Sequence, residues 1–266
     1  RNSILIKSYE DQLIVRTGYS FTYNSANDRN RSTGNRNPYS IRINVEEAGN
    51  LLYLASKTIN SKPKIDKGFV IANIPFAQYI KGDFDFAQNW NIDNRNSFVF
   101  HIGMGVAYPY ANSQMLPFEK RYFSGGPNSV RGWSVRSLGP GTYNPGKNTK
   151  YGYLDQTGDI KLEANVEYRF PIFGELYGAT FLDAGNVWLM RKDESRPGGE
   201  LTLKNFAKSI ALNTGVGVRY DLTFLVIRLD MGIALHVPYE TGKSGYYNIP
   251  KFKDGLGLHF AIGYPF

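Results

Sequence analysis

The chain has no cysteine among its 266 residues, so it holds neither a disulfide nor a thiolate metal site, and its redox compartment stays open. It also lacks any run near the roughly 18 consecutive apolar residues that a membrane-spanning helix needs. Histidine is scarce. His101, His236 and His259 fall in different segments, and none has a carboxylate or a second histidine at ligand spacing on its own segment. No metal site and no cofactor is expected from that pattern. No G-x-S-x-G elbow occurs, and Ser124, Ser129 and Ser134 have no sequence neighbour that would activate them. The glycine-rich "GGPNSVRG" and "GVGVRY" do not join a strand to a helix as a phosphate cradle must. The sequence therefore reads as a non-enzyme. Its net charge of +8 comes from basic residues scattered among Asn, Asp and Tyr, which argues against a nucleic-acid partner. The start, "RNSILIKSYE", shows neither an initiator Met nor a signal peptide, as expected of a mature or excised segment.

Strand-formers are plentiful: 15% of residues are aromatic, and 28 Gly with 13 Pro interrupt any helical pattern. The longer segments alternate with period two. In "SFVFHIGMGVAY", Phe98, Phe100, Ile102, Met104, Val106 and Tyr108 share one face, opposite Val99, His101, Gly103, Gly105 and Ala107. In "LTFLVIRLDMGIALH", Leu225, Ile227, Leu229, Met231, Ile233 and Leu235 oppose Val226, Arg228, Asp230, Gly232, Ala234 and His236. The final "GLGLHFAIGYPF" sets Leu256, Leu258, Phe260, Ile262, Tyr264 and Phe266 against Gly255, Gly257, His259, Ala261, Gly263 and Pro265.

The same reading predicts further strands near 12–24, 39–55, 75–92, 158–171, 175–188 and 208–221, nine in all; either "NSILIK" is a partial tenth or the chain lacks the front of its barrel. Most exceed the roughly five or six residues usual in soluble sheets and match the roughly ten of a tilted strand crossing a bilayer. Short links at 93–96, 171–174 and near 221 alternate with long ones at 109–157, 189–207 and 237–254, as in a barrel with turns on one rim and loops on the other. The long link at 25–38 breaks that rule. A soluble sandwich would bury the apolar face instead, so alternation alone leaves lipid and core both open. Strand length, aromatic content and the aromatic carboxyl terminus favour an all-β, transmembrane antiparallel barrel, and nine strands are too few and too odd to close one.

The segment "RYFSGGPNSVRGWSVRSLGPG" is more specific. With "LEANVEYRFP" one strand later and "GATFLDAGNVW" two strands later, it resembles the BamA-type superfamily of outer-membrane assembly proteins, which includes bacterial surface antigens and TamA-like proteins. In that family the sixth extracellular loop bears a Val-Arg-Gly-aromatic tetrad, here Val130, Arg131, Gly132 and Trp133. The resemblance implies that residues 1–266 form the carboxyl-terminal portion of one barrel, its last nine of sixteen strands, with the first strands and the periplasmic POTRA domains absent. It also implies an outer-membrane location in a Gram-negative bacterium.

An arginine on a long loop either stays solvated or folds back onto carboxylates, because burying it unpaired is very costly. Parity points Glu167 and Asp183 into the lumen, where a planar guanidinium could engage both. The resemblance implies the same partnership, with Phe181 and Gly185 completing a Phe-x-Asp-x-Gly pattern around Asp183. It implies further that the last strand, with Leu258, Phe260, Ile262, Tyr264 and Phe266 on its lipid face, is both the seam of the barrel and an insertion signal. Because four of the facing positions are glycine or alanine, that strand is expected to pack weakly and to open.

Assembly and insertion of other outer-membrane barrels is the implied function. The implied partners are the bilayer with its lipopolysaccharide, unfolded barrel clients and accessory lipoproteins. The alternatives are a TamA-like or two-partner-secretion translocation pore, a passive channel, and a soluble β-sandwich binding module.

Overall fold

Alternating apolar and polar residues with many Tyr, Phe, Val and Ile favour pleated strands, and strands dominate the chain. The computed structural model describes residues 11–27, 37–59, 62–64, 68–144, 146, 156–249 and 251–266. The segment "NSILIK", a partial tenth strand on one of the two alternatives, lies outside these described residues.

Nine strands build one sheet: β1 (Arg16–Asn24), β2 (Tyr39–Ala48), β5 (Tyr79–Asn91), β6 (Ser97–Pro109), β7 (Ile160–Phe173), β8 (Leu176–Trp188), β9 (Ala211–Asp221), β10 (Val226–His236) and β11 (Leu256–Ile262). Two short strands, β3 (Val70–Ile71) and β4 (Ile74–Pro75), pair as a hairpin inside the connection from β2 to β5. The order in space is the order in sequence, and all pairs are antiparallel. At about 3.4 Å per residue, the 13 residues of β5, β6 or β8 extend about 44 Å, enough to cross a hydrocarbon core of about 30 Å at a tilt of about 45°. Among the described residues, β1 and β11 each have one unpaired edge, so the sheet is an open arc.

The two faces settle the choice that alternation left open. On one, Ile102, Met104, Val106, Tyr108, Val216, Val218, Tyr220 and Leu229 are exposed, and among the described residues no second sheet lies over them. On the other, the largest fully buried side chains include Arg131, Arg219, Arg228, Glu163, Glu167 and Asn165. A soluble sandwich has the opposite arrangement. An apolar outside and a polar, filled inside belong to a transmembrane barrel, of which this sheet is a part.

The predicted second strand, 39–55, ends early. Gly49 takes φ 80°, and Leu51, Leu52, Leu54 and Ala55 continue as a helix, α1 (Asn50–Thr58). A second short helix, α2 (Phe206–Ser209), precedes β9.

The carboxyl terminus also departs from the expected pattern. Leu258, Phe260 and Ile262 are exposed on the apolar face as expected. Tyr264 and Phe266 are not on that face. Gly263 adopts φ 84°, its N–H donates to Val226 O at 2.7 Å, and the alternation breaks there. Tyr264 then lies under the Arg169 guanidinium, 4.2 Å from the ring centroid, and Phe266 stacks on His101 with centroids 4.3 Å apart. Both aromatics therefore turn into the lumen.

Candidate functional site

Cross-strand register assembles the floor of the site. His101, Asn165, Asp183 and Asn213 form one row across β6, β7, β8 and β9. The next row runs Val99, Glu167, Phe181, Gly215, Gly232 and Gly257 across β6 to β11. A third holds Arg169, Ala179, Gly217, Asp230 and His259. Charged and amide side chains thus crowd one half of the floor, and three glycines in one row leave a shallow trough in the other.

The long loop between β6 and β7 descends onto this floor. Val130 and Trp133 anchor it by packing with Leu138, Ala211, Ala234, Val237 and Ile249. Arg131 between them is fully buried. Its Nε and Nη2 donate to Asp183 Oδ2 and Oδ1 at 2.9 and 2.8 Å, its backbone N–H donates to Asp183 Oδ2 at 3.1 Å, and Nη1 donates to Glu167 Oε2 at 2.5 Å. The guanidinium lies 3.5 Å from the centroid of the Phe181 ring and 5.9 Å from that of Phe266. Its donors face charged acceptors, so full burial costs it little hydrogen bonding.

The backbone of Arg131 rests in the trough. A Cβ on Gly232 would stand 2.3 Å from Arg131 O, and one on Gly257 would stand 2.6 Å from the same oxygen. His259 donates from Nε2 to that carbonyl at 2.9 Å. The small residues of β11 therefore face the loop instead of a void, which replaces the expectation of a weakly packed strand. Gly132 sits as tightly, since its Cβ would approach Asn213 Cβ to 2.7 Å, and a Cβ on Gly185 would meet Leu162 O at 2.6 Å.

Glu167 and Asp183 are held in turn by residues that the sequence reading did not single out. Asn165 donates to Asp183 Oδ1 and to Ser129 O, both at 2.9 Å, and Asn213 donates to Asp183 Oδ2 at 3.1 Å. Arg169 donates to Glu167 Oε1 at 2.7 Å, and Arg219 to Glu167 Oε2 at 3.0 Å. Arg219 also pairs with Asp230 at 2.6 Å, Asp230 with Arg228 at 3.1 Å, and Arg228 returns to the loop through Pro127 O at 3.0 Å and the Asn128 side chain. Alternating charges thus run from Arg131 through three strands and back to the loop's own residues 127–128. Period two already set Arg228 and Asp230 opposite the apolar face of their strand; their convergence with Arg219 depends on register.

His101 joins this cluster to the terminal segment. Asn165 spends its amide N–H groups on Asp183 and Ser129, so its Oδ1 accepts from His101 Nδ1 at 2.8 Å, while His101 Nε2 faces Asp85 Oδ2 at 2.9 Å. The stacked ring of Phe266 covers the other side of the imidazole. The predicted lumen residues Glu167, Phe181 and Asp183 and the tetrad are thus brought together, with Gly185 one turn of the pleat above. Leu258, Phe260 and Ile262 stay outside it.

Residues 5–266 match the model of the Omp85 superfamily domain. The chain belongs to the Omp85 superfamily. Among curated relatives, it is 32% identical over 109 residues to the outer membrane protein assembly factor BamA of Neisseria meningitidis serogroup B (strain ATCC BAA-335 / MC58), covering 38% of this chain and 13% of that protein. It is 27% identical over 170 residues to the sorting and assembly machinery component 50 homolog of Homo sapiens, covering 62% of this chain and 34% of that one. The chain thus spans about a third or less of these relatives. Solved structures similar to it include BamA from Haemophilus ducreyi lacking POTRA domains 1-3, at TM-score 0.44 and 15% identity over 97% of this chain and 56% of that one. CdiB from Acinetobacter baumannii gives TM-score 0.36 and 13% identity over 94% and 42%. As an Omp85 barrel segment, the chain resides in the bacterial outer membrane.

Proposed function

We propose that residues 1–266 are the carboxyl-terminal portion of a sixteen-stranded outer-membrane barrel whose work is to insert and fold other barrel proteins, without covalent chemistry of its own. One observation carries this reading: a long loop is clamped inside the lumen by Arg131, whose guanidinium is held by Glu167 and Asp183. A filled lumen suits a conducting pore poorly. When the seam between the first and last strands of the full barrel opens, its edges present a row of N–H and C=O groups to which an incoming strand can add. The names of the two curated relatives, an outer membrane protein assembly factor and a sorting and assembly machinery component, support the same reading. Its partners are then the bilayer with its lipopolysaccharide, unfolded barrel clients and accessory lipoproteins.

The test is reconstitution of the full-length protein in vesicles with an unfolded barrel client. Client folding should accelerate, and a disulfide between a cysteine at Leu258 and the first strand of the full barrel should abolish the acceleration. Passage of an unfolded polypeptide into the vesicle interior would favour a two-partner-secretion or TamA-like pore. A steady conductance without client folding would favour a passive channel.

A further inference from the structure

Helix α1 leaves β2 at the rim that also carries the loop of Arg131, one residue after the strand ends. Its inner side is committed. Asn50 Oδ1 accepts from Gln78 Nε2 at 2.9 Å and from Tyr110 Oη at 2.8 Å, Tyr53 packs edge-on against Phe69 with centroids 5.4 Å apart, and Ser56 is buried. At 100° per residue, Leu51, Leu54, Ala55 and Thr58 project from the opposite side, and Ile59 follows them. Among the described residues nothing covers that side: Leu51, Leu54 and Ile59 are 68%, 64% and 77% exposed.

Two observations identify what covers it. The first is continuity. The apolar outer face of the barrel rises through Ile43 and Val45 of β2 and Ile80 of β5 to this rim, and the exposed Ile71 and Ile74 of the β3–β4 hairpin lie in the same connection. The second is charge. Between residues 50 and 64 the sequence carries Lys57, Lys62 and Lys64 and no acid. An apolar stripe flanked by lysines, set at the edge of a lipid-facing belt, has the composition of an interfacial membrane helix.

We propose that α1 is a membrane-surface anchor, with Leu51, Leu54 and Ile59 in the acyl layer of the outer leaflet and the lysines of residues 57–64 against phosphate-bearing lipid headgroups. It fixes the height and tilt of the barrel at the side of β2, away from the seam strand β11. Lys57 already lies against Tyr53, 4.9 Å from its ring centroid, which leaves its charge at the flank of the stripe.

Residues 1–266 contain no cysteine, so a single Leu54→Cys can be labelled with an environment-sensitive nitrobenzoxadiazole dye. The label is placed in the full-length protein after any cysteine elsewhere is replaced by serine. The protein is reconstituted in vesicles of equimolar phosphatidylcholine and phosphatidylglycerol, with folding checked by heat-modifiable gel mobility. The dye should emit to the blue of its position in water and lose most of its intensity when acyl-chain spin labels are added. The same dye at Ser195, in the exposed connection after β8, should show neither effect. Lys57→Glu with Lys62→Glu should reduce the quenching at position 54 in these vesicles. Water-like, unquenched emission at position 54 would overturn the anchor, and so would rapid disulfide formation between unlabelled Leu54→Cys copies, which would assign the face to a second molecule. Quenching unchanged by the lysine reversals would overturn the headgroup contact.

Discussion

Arg131 and Arg219 share a single oxygen: Glu167 Oε2 accepts from Arg131 Nη1 at 2.5 Å and from Arg219 Nη2 at 3.0 Å. One glutamate thus joins a loop arginine to a strand arginine, and its other oxygen is taken by Arg169. Breaking such a buried group by neutralising one member typically costs about 3–5 kcal/mol, because the remaining charges stay buried. Glu167→Gln should therefore destabilise loop docking more than truncation of any one arginine. In vesicles, limited proteolysis of the loop at 109–157 should speed up, and Glu167→Gln combined with Arg131→Ala should be less than additive by about 0.5–3 kcal/mol. Strict additivity would show that the two side chains do not act through one contact.

Arg131→Lys should fail to replace the arginine although the charge is kept. Asp183 receives two side-chain donors and Glu167 a third from one planar group, and an ammonium cannot span both carboxylates in that geometry. Proteolytic protection of the loop should fall nearly as far for Arg131→Lys as for Arg131→Ala. Full protection in the lysine variant would show that charge alone holds the loop.

Gly232→Ala separates shape from charge. The new Cβ would stand 2.3 Å from Arg131 O on a floor that offers no room, while every ionic partner of Arg131 is untouched. Overpacking of this kind typically costs about 1–3 kcal/mol. The expected result is a loop that is cut faster by protease in a barrel that still shows its heat-modifiable mobility. Unchanged cutting would mean that the backbone of the loop does not rest on β10.

How much of this was legible in the sequence divides along one physical line. Period two assigns each strand residue to a face, so the lipid-facing set and the inward aim of Glu167 and Asp183 follow from parity alone. Register is a different quantity. It decides that Gly215, Gly232 and Gly257 align into a trough and that Arg219 reaches both Glu167 and Asp230, and no residue on a single strand encodes it. The nine residues of α1 were hidden because a run such as "NLLYLASKT" is too short to separate a helical period from the end of the preceding strand. The inward turn of the terminus hangs on one dihedral angle at Gly263, which reverses the parity of everything after it.

The connection between β8 and β9 should show an acid transition of its own. Asp193 is pushed up by burial, but the Ser195 hydroxyl and backbone N–H at 2.6 and 2.9 Å and the Arg196 guanidinium at 3.0 Å outweigh that and hold its carboxyl below the usual range. A folded value below the unfolded one stabilises the loop fully above the ordinary carboxyl value of 3.8, and the stabilisation is lost as pH falls through the lowered value. Pepsin should therefore begin to cut the connection at 189–210 only below that ordinary value, and Asp193→Asn should be cut at higher pH as well. Identical cutting of the two proteins across the range would show that Asp193 does not order the loop.

Phe260 in β11 and Phe266 at the last position are both aromatic rings at even positions, yet they face different media. Phe260 is 67% exposed on the apolar side of β11, whereas Phe266 stacks on His101 beside the Arg131 guanidinium. Tryptophan is large, and its fluorescence is quenched by brominated acyl chains only where it touches lipid. Relative to the parent protein, Phe260→Trp should add emission that brominated lipid removes, and Phe266→Trp should add emission that it leaves. Phe266→Ala should also loosen the loop, because His101 loses its stacked cover and Arg131 one of its two aromatic faces, while Phe260→Ala should leave loop proteolysis unchanged. Lipid quenching at position 266 would return the terminal residue to the outer face and detach it from the Arg131 cluster.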